Sequence, residues 1–123
     1  MKLKLLESSL AVCHCEKEVQ GLSAPPGAEF WSLTRARGEL SLVCAAELAP
    51  LGARCETGWR CLGVEGPLDF SQVGILAELA GCLASAGVSI FALSTYDTDY
   101  LLVRESALAS AIQTLTTAGH RVT

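Results

Sequence analysis

The stretch FALSTYDTDYLLVRE, residues 91–105, contains two apolar runs separated by a polar elbow. Residues 88–93 and 100–103 are rich in β-forming side chains, so we predict that they are the two strands of a hairpin. The elbow at residues 94–99 carries six consecutive hydrogen-bonding side chains, which is more than a tight turn requires. Either the elbow satisfies its own backbone, or some of its side chains bind a ligand.

The hairpin is flanked on both sides by a helical pattern. Upstream, residues 60–65 are a predicted short apolar strand that ends at a Gly-Pro turn, and a helix follows, with Ser71 as its predicted N-cap and Gly87 as the residue that ends it. Downstream, Ser106 is the predicted cap of a second helix, which Gly119 ends, and residues 120–123 leave room for a last strand. The order β-α-β-β-α-β predicts an α+β, ferredoxin-like fold with helices on one face of an antiparallel sheet.

The first half of the chain is a weaker copy of this pattern. Residues 3–6 and 10–15 are predicted strands, and residues 30–44 form a second hairpin whose sequence is similar to the first. The segment that follows has room for one helical turn at most before a proline. We therefore predict a truncated lobe at residues 1–58 and a complete domain at residues 59–123, which share a sheet or a core.

Composition and charge exclude several classes of function. The chain has 123 residues, half of them hydrophobic, with 13 acidic against 9 basic side chains and a pI near 5.1, so it offers no basic stripe for nucleic acid. No apolar run reaches the roughly 18 residues of a membrane span. Glu7 interrupts the apolar run of the opening MKLKLLESSLAV, and CHCEKE follows where the small-residue cleavage site of an export signal would lie. We expect a cytoplasmic protein that binds neither nucleic acid nor membrane.

The six cysteines do not form a recognisable metal motif. Cys13 and Cys15 flank His14, and a strand would direct both thiols to one face and the imidazole to the other. A structural zinc site takes about four ligands from two spaced pairs, and the sequence has no second pair. We therefore expect structural thiols, no metal and no cofactor.

The sequence GWRCLGVEGPLDFSQVGILAELAGCLASAGVSIFALSTYDTDYLLV, residues 58–103, resembles an ACT domain, and more narrowly the CASTOR-type ACT proteins. The resemblance extends to the first hairpin, so the truncated lobe is expected to be ACT-like as well. The CASTOR-type proteins include small stand-alone bacterial members. The resemblance implies a βαββαβ fold and a homodimer that binds a free amino acid or related metabolite without catalysis. The ligand is then held between ACT units, by the loop before the first helix and by the elbow.

Carried over residue by residue, the resemblance implies a set of ligand-binding positions in this chain. They comprise Ser89 and Ile90 on a strand, Asp69 and Gln72 in the loop before the first helix, and Thr95, Tyr96 and Asp99 in the elbow. Gln72 stands where the family's arginine sensor has a glutamate, which argues against arginine as the ligand.

The chemistry of these residues suits an amino-acid ligand, although each also has a structural interpretation. Backbone N–H groups near Gly74 at a helix start favour a carboxylate, and this glycine permits close approach. Asp99 and the Thr95 hydroxyl can accept hydrogen bonds from an ammonium, but bonds across the hairpin would explain them equally well. Asp69 also suits a helix start, and Phe70 is either a pocket wall or a core residue.

There are two alternatives to the regulatory function, and the sequence supports them to different degrees. The first is a structural or protein-interaction module whose pocket is empty, because a ferredoxin-like sheet edge can pair with a partner. The second is an enzyme, for which the sequence presents no nucleophile beside a base and no carboxylate pair in an apolar cleft. We expect no catalytic residues.

Overall fold

The computed structural model of the chain describes residues 1–15, 22–66 and 73–123. Its strands and helices, in chain order, are β1 (Lys2–Leu5), β2 (Leu10–Cys15), β3 (Trp31–Ala36), β4 (Glu39–Ala45), β5 (Arg54–Val64), α1 (Ile75–Ser85), β6 (Ile90–Ser94), β7 (Asp99–Arg104), α2 (Leu108–Thr117) and β8 (Arg121–Val122). None of these helices is long and apolar enough to cross a membrane.

The chain divides into two compact units. The larger unit consists of Met1–Glu7 and Arg60–Thr123, and the smaller unit is Ser8–Trp59. The first seven residues belong to the larger unit although they are far from Arg60 in sequence. The reason is strand pairing, because β1 lies antiparallel to the second half of β5 and parallel to β8.

The larger unit has the predicted βαββαβ order, running from β5 through α1, β6, β7 and α2 to β8. Its strands lie in the order β8-β1-β5-β7-β6, so that β1 is an added strand inserted between the two ends of the motif. The predicted α+β ferredoxin-like fold is confirmed, and the hairpin of β6 and β7 runs in register from Ile90 opposite Val103 to Ser94 opposite Asp99.

Helix α1 begins at Ile75, with Gly74 at its N-cap position in the left-handed conformation at φ 83°. The first turn closes through a hydrogen bond of 2.8 Å from the Glu78 N–H to the Gly74 carbonyl oxygen. The predicted cap, Ser71, lies outside the described residues. The predicted end at Gly87 is confirmed, since this residue has φ 74° and the Val88 N–H reaches back to the Leu83 carbonyl oxygen at 2.9 Å.

Helix α2 corrects one prediction and confirms another. Ser106 is not an N-cap, because it lies inside a 3₁₀ turn, Glu105–Ala107, that leads directly into the helix; the capping position belongs to Ala107, which makes no side-chain cap bond. Gly119 ends the helix as predicted, with φ 97° and a bond of 3.0 Å from the His120 N–H to the Leu115 carbonyl oxygen.

The core of the larger unit lies between the two helices and one face of its sheet. Its buried members are Leu3, Leu62, Val64, Leu79, Leu83, Val88, Leu101, Val103, Ala111 and Leu115. Side chains alternate along a strand, so Lys4, Gly63 and Tyr100, each adjacent to a core residue, belong to the face opposite the helices.

The smaller unit is an antiparallel sheet with strand order β3-β4-β2-β5, to which β5 contributes its first half. The predicted hairpin is present, and Arg37 and Gly38 turn it with φ 53° and 80°, the pattern of a type I′ turn. The single helical turn predicted after it is the 3₁₀ turn Ala46–Leu48. The described residues of this unit contain no α-helix.

Strand β5 is longer than the sequence pattern indicates. It begins at Arg54, and its register with β2 shifts between Leu10 and Val12, where Gly58 has φ 79°. This irregularity has the features of a β-bulge, which interrupts the alternation of apolar and polar residues by which a strand is recognised.

Candidate functional site

The elbow between β6 and β7 makes several hydrogen bonds within itself. The Ser94 hydroxyl donates to Asp99 Oδ1 at 2.6 Å. The Thr95 hydroxyl donates to the Thr98 carbonyl oxygen at 3.3 Å and lies 3.4 Å from the Thr98 N–H. Much of the polar character of this segment therefore serves the turn itself, whereas Tyr96 leaves 81% of its side chain exposed.

One elbow side chain makes a longer-range bond. The Thr98 hydroxyl donates to the Val64 carbonyl oxygen at 2.7 Å, which attaches the elbow to the last residue of β5. Strand β5 leads into residues 67–72, so this bond places the elbow beside the strand end that precedes the predicted ligand loop.

The hydroxyl of Thr98 can be removed almost without changing side-chain shape. We expect Thr98→Val to lower the free energy of unfolding by about 1 kcal/mol, because it removes a donor from a partly buried hydrogen bond. Urea unfolding measures this loss. Thr95→Val is the matched control, since its hydroxyl bonds are longer and stay within the exposed turn; an equal loss in both variants would contradict the role given to Thr98.

An open groove of about 330 Å³ lies at this junction in the larger unit. Its walls come from Lys4, Leu6, residues 63–66, Asp97, Thr98 and Tyr100. This volume is at the lower end of the roughly 300 to 1,000 Å³ typical of small-molecule sites, which suits a ligand of amino-acid size.

Gly63 and Tyr100 are in contact within the groove. A Cβ atom at Gly63 would lie 3.0 Å from Tyr100 Cε1 and 3.2 Å from Cδ1, closer than side chains normally approach. Glycine at this position therefore lets the tyrosine ring pack directly against the strand backbone.

The charged side chains of the groove are of both signs. Lys4 provides a cation, and Glu65 and Asp97 provide two carboxylates. All three are exposed, so each can reach a ligand without a large desolvation cost. Such a set can hold a carboxylate and an ammonium at separate points, as a zwitterion requires.

The positions predicted to bind a ligand are distributed over several places. Asp69, Phe70 and Gln72 lie outside the described residues. Gly74 is the N-cap of α1, Ser89 is exposed just before β6, and Ile90 is half-buried against the core. These three and the elbow residues Thr95, Tyr96 and Asp99 are not among those that line the groove.

Sequence reasoning missed the residues that do line the groove. Lys4 belongs to a strand remote in sequence, and only its pairing opposite Gly63 brings it to the site. Tyr100 follows the elbow directly, and its place on the side of the strand opposite Leu101 was the available signal. The described residues contain no group of three or more His, Cys, Asp or Glu side chains arranged to hold a metal ion.

The βαββαβ unit defines a ferredoxin-like domain, here with a groove beside the hairpin elbow. The family model described as ACT domain matches residues 54–117, which is more than half of the chain. The chain belongs to the ACT domain family.

The curated relatives that this chain matches are about three times as long as the matched segment. The human protein named cytosolic arginine sensor for mTORC1 subunit 1 is 33% identical over 108 residues, which cover 80% of this chain and 33% of that protein. The chain thus spans about one third of the curated relatives that it matches.

Two solved structures are similar over nearly the whole chain. A protein from Agrobacterium tumefaciens is 34% identical with a TM-score of 0.84, and the match covers 99% of this chain and 91% of that one. A Vibrio cholerae protein of unknown function, 22% identical, has a TM-score of 0.76 over 94% of this chain and 88% of that one, and supports the fold alone.

Proposed function

We propose that this protein is a non-catalytic regulatory protein that binds a free amino acid or a related small metabolite. The observation that carries the proposal is the groove of opposite charges at the junction of the β5 end and the elbow, within an ACT domain. The name of the human relative, an arginine sensor, supports the same class of ligand.

In this proposal the ligand carboxylate pairs with Lys4, and the ammonium pairs with Asp97 and Glu65. The ligand side chain lies against the ring of Tyr100, which packs over Gly63. One cation and two carboxylates give the groove a net negative charge, so basic amino acids should be tested first. The glutamine at position 72 still argues against arginine among them.

A second copy of the chain closes the site in this proposal. The positions suggested by the family resemblance then act around the groove rather than inside it. Ser89 and Tyr96 are exposed and would contact the ligand or the second copy, while Asp69, Phe70, Gln72 and Gly74 would contribute from the sequence that precedes α1. Ile90, Thr95 and Asp99 complete the set.

The alternative is a structural or protein-interaction module with no ligand. It is favoured by the elbow's internal hydrogen bonds, which account for Ser94, Thr95 and Asp99 without a ligand. Strand β6 pairs only with β7 among the described strands, so its outer edge is open to a partner strand.

Thermal melting with each free amino acid separates the two functions. A ligand at about 100 times its Kd should raise the free energy of unfolding by about 2.7 kcal/mol, which appears as a higher Tm. If no amino acid raises the Tm, the protein-interaction alternative is supported instead.

Charge removal at the groove tests where the ligand binds. We expect Lys4→Gln to weaken binding about tenfold, because it removes the proposed charge-assisted contact with the ligand carboxylate. Lys2→Gln is the matched control, since it removes the same charge from the same strand but does not line the groove. Isothermal titration with the amino acid found by melting gives both affinities, and equal affinities would move the site elsewhere.

A further inference from the structure

Four of the six cysteines lie together on one face of the smaller unit's sheet. Cys13 and Cys15 are on β2, Cys44 is on β4, and Cys55 is on β5. The first three are buried in one apolar cluster. Cys55 is half-buried and packs against this cluster. None of these four forms a disulfide bond.

One pair among these thiols is directly opposed across two strands. Cys13 of β2 faces Cys55 of β5 in an antiparallel register, and the neighbouring Cys55 thiol helps to raise the pKa of Cys13. Opposed residues in such a ladder have Cα atoms about 4.5 to 5.5 Å apart. A disulfide requires a Cα separation of about 4.4 to 6.8 Å, so the backbone spacing of this pair permits a bond between the two sulfurs.

The other close pairs are less suitable. Cys44 lies opposite Ala11, which makes it a diagonal neighbour of Cys13. Cys15 is two residues along β2 from Cys13 and is therefore diagonal to Cys55. Diagonal neighbours are separated by roughly 7 to 8 Å, beyond the range of an unstrained disulfide.

The two opposed thiols differ in their access to solvent. Cys13 is only 1% exposed, and burial raises the pKa of its thiol. Cys55 is half-buried, and its Sγ lies 3.8 Å from the Ala53 carbonyl oxygen. A dissolved oxidant therefore reaches Cys55 first, and Cys13 is positioned to react with the product.

We propose that Cys13 and Cys55 are a redox site that forms a reversible intramolecular disulfide when a hydroperoxide oxidises the protein. With hydrogen peroxide, the Cys55 sulfur takes one oxygen to give a sulfenic acid and releases one water. The Cys13 sulfur then attacks the Cys55 sulfur, the S–O bond breaks, and the hydroxyl leaves with the Cys13 proton as a second water. Two thiols supply the two electrons that peroxide accepts.

The bond would fasten β2 to β5 and would not involve the proposed ligand groove, whose residues belong to the larger unit.

The test is stepwise oxidation of the reduced protein with hydrogen peroxide, followed by alkylation of the remaining thiols under denaturing conditions and intact-mass measurement. We expect two fewer alkylated thiols, a peptide that links residues 13 and 55, and full reversal by dithiothreitol. Cys55→Ser should abolish the linked peptide. Cys82→Ser is the matched control, because Cys82 is also half-buried with its Sγ 3.8 Å from a carbonyl oxygen, and it should leave the linkage intact.

Three results would overturn the proposal. They are a linkage between any other two cysteines, sulfinic acid at Cys55 without linkage, and an unchanged loss of two thiols in Cys55→Ser. The wild-type mapping does not depend on any variant, so it decides the matter even if Cys55→Ser is poorly folded.

Discussion

Gly63→Val is expected to abolish ligand binding and to destabilise the larger unit. Even the first added carbon would lie 3.0 Å from Tyr100 Cε1, and valine adds two more methyl groups on the strand that forms the groove wall. Overpacking of this kind costs about 1 to 3 kcal/mol, because the ring or the strand must shift. Isothermal titration measures the lost affinity, and urea unfolding measures the lost stability.

A glycine in a different environment provides the control for this substitution. An added Cβ at Gly81 of α1 would meet nothing within 4 Å in the described part of the chain. Gly81→Ala should therefore stabilise the protein by up to about 1 kcal/mol, because alanine favours a helix interior over glycine. Gly63→Ala should have the opposite sign, and a stabilising effect at both positions would contradict the contact between Gly63 and Tyr100.

Local signals predicted the elements that local interactions determine. Gly87 and Gly119 end their helices because the backbone there takes a positive φ. Glycine favours this conformation, so the helix end can be recognised from the sequence. The prediction that Ser106 caps α2 was wrong. Serine favours the N-cap position, but here it lies inside a 3₁₀ turn, which moves the start of the helix to a later residue. The first half of β5 was missed because the bulge at Gly58 breaks its alternation.

The groove could not be predicted in this way, because it depends on pairing between distant parts of the chain. Lys4 reaches it only because β1 is inserted between β5 and β8, which no local pattern indicates. Thr98 and Asp97 look like ordinary turn residues in the sequence, and the bond from Thr98 to Val64 is what distinguishes them from the rest of the elbow. The sequence of a turn indicates the conformation of its own backbone better than it indicates which distant residues the turn contacts.

The smaller unit is expected to lose stability steeply in mildly alkaline solution. Burial raises the pKa of the Cys13, Cys15 and Cys44 thiols, and charge on neighbouring cysteines raises them further. In the unfolded chain these thiols ionise near pH 8.5, whereas in the folded unit they hold their protons to higher pH. The folded state therefore binds more protons than the unfolded state above about pH 8.5, and the free energy of unfolding falls as pH rises.

The expected slope is up to about 1.4 kcal/mol per pH unit for each thiol that stays protonated, so three thiols would dominate the alkaline unfolding of this unit. Urea midpoints between about pH 8 and pH 9.5 in the presence of reductant measure it, below the range where lysine and tyrosine titrate. Cys15→Ala should remove one thiol's share of the slope. Val43→Ala is the control, because it removes a buried apolar side chain next to Cys44 on β4 and no thiol. It should lower the free energy of unfolding at every pH without changing the slope. A wild-type midpoint that stays level across this range would mean that water reaches the thiols, because only a dry environment keeps them protonated while the unfolded chain ionises.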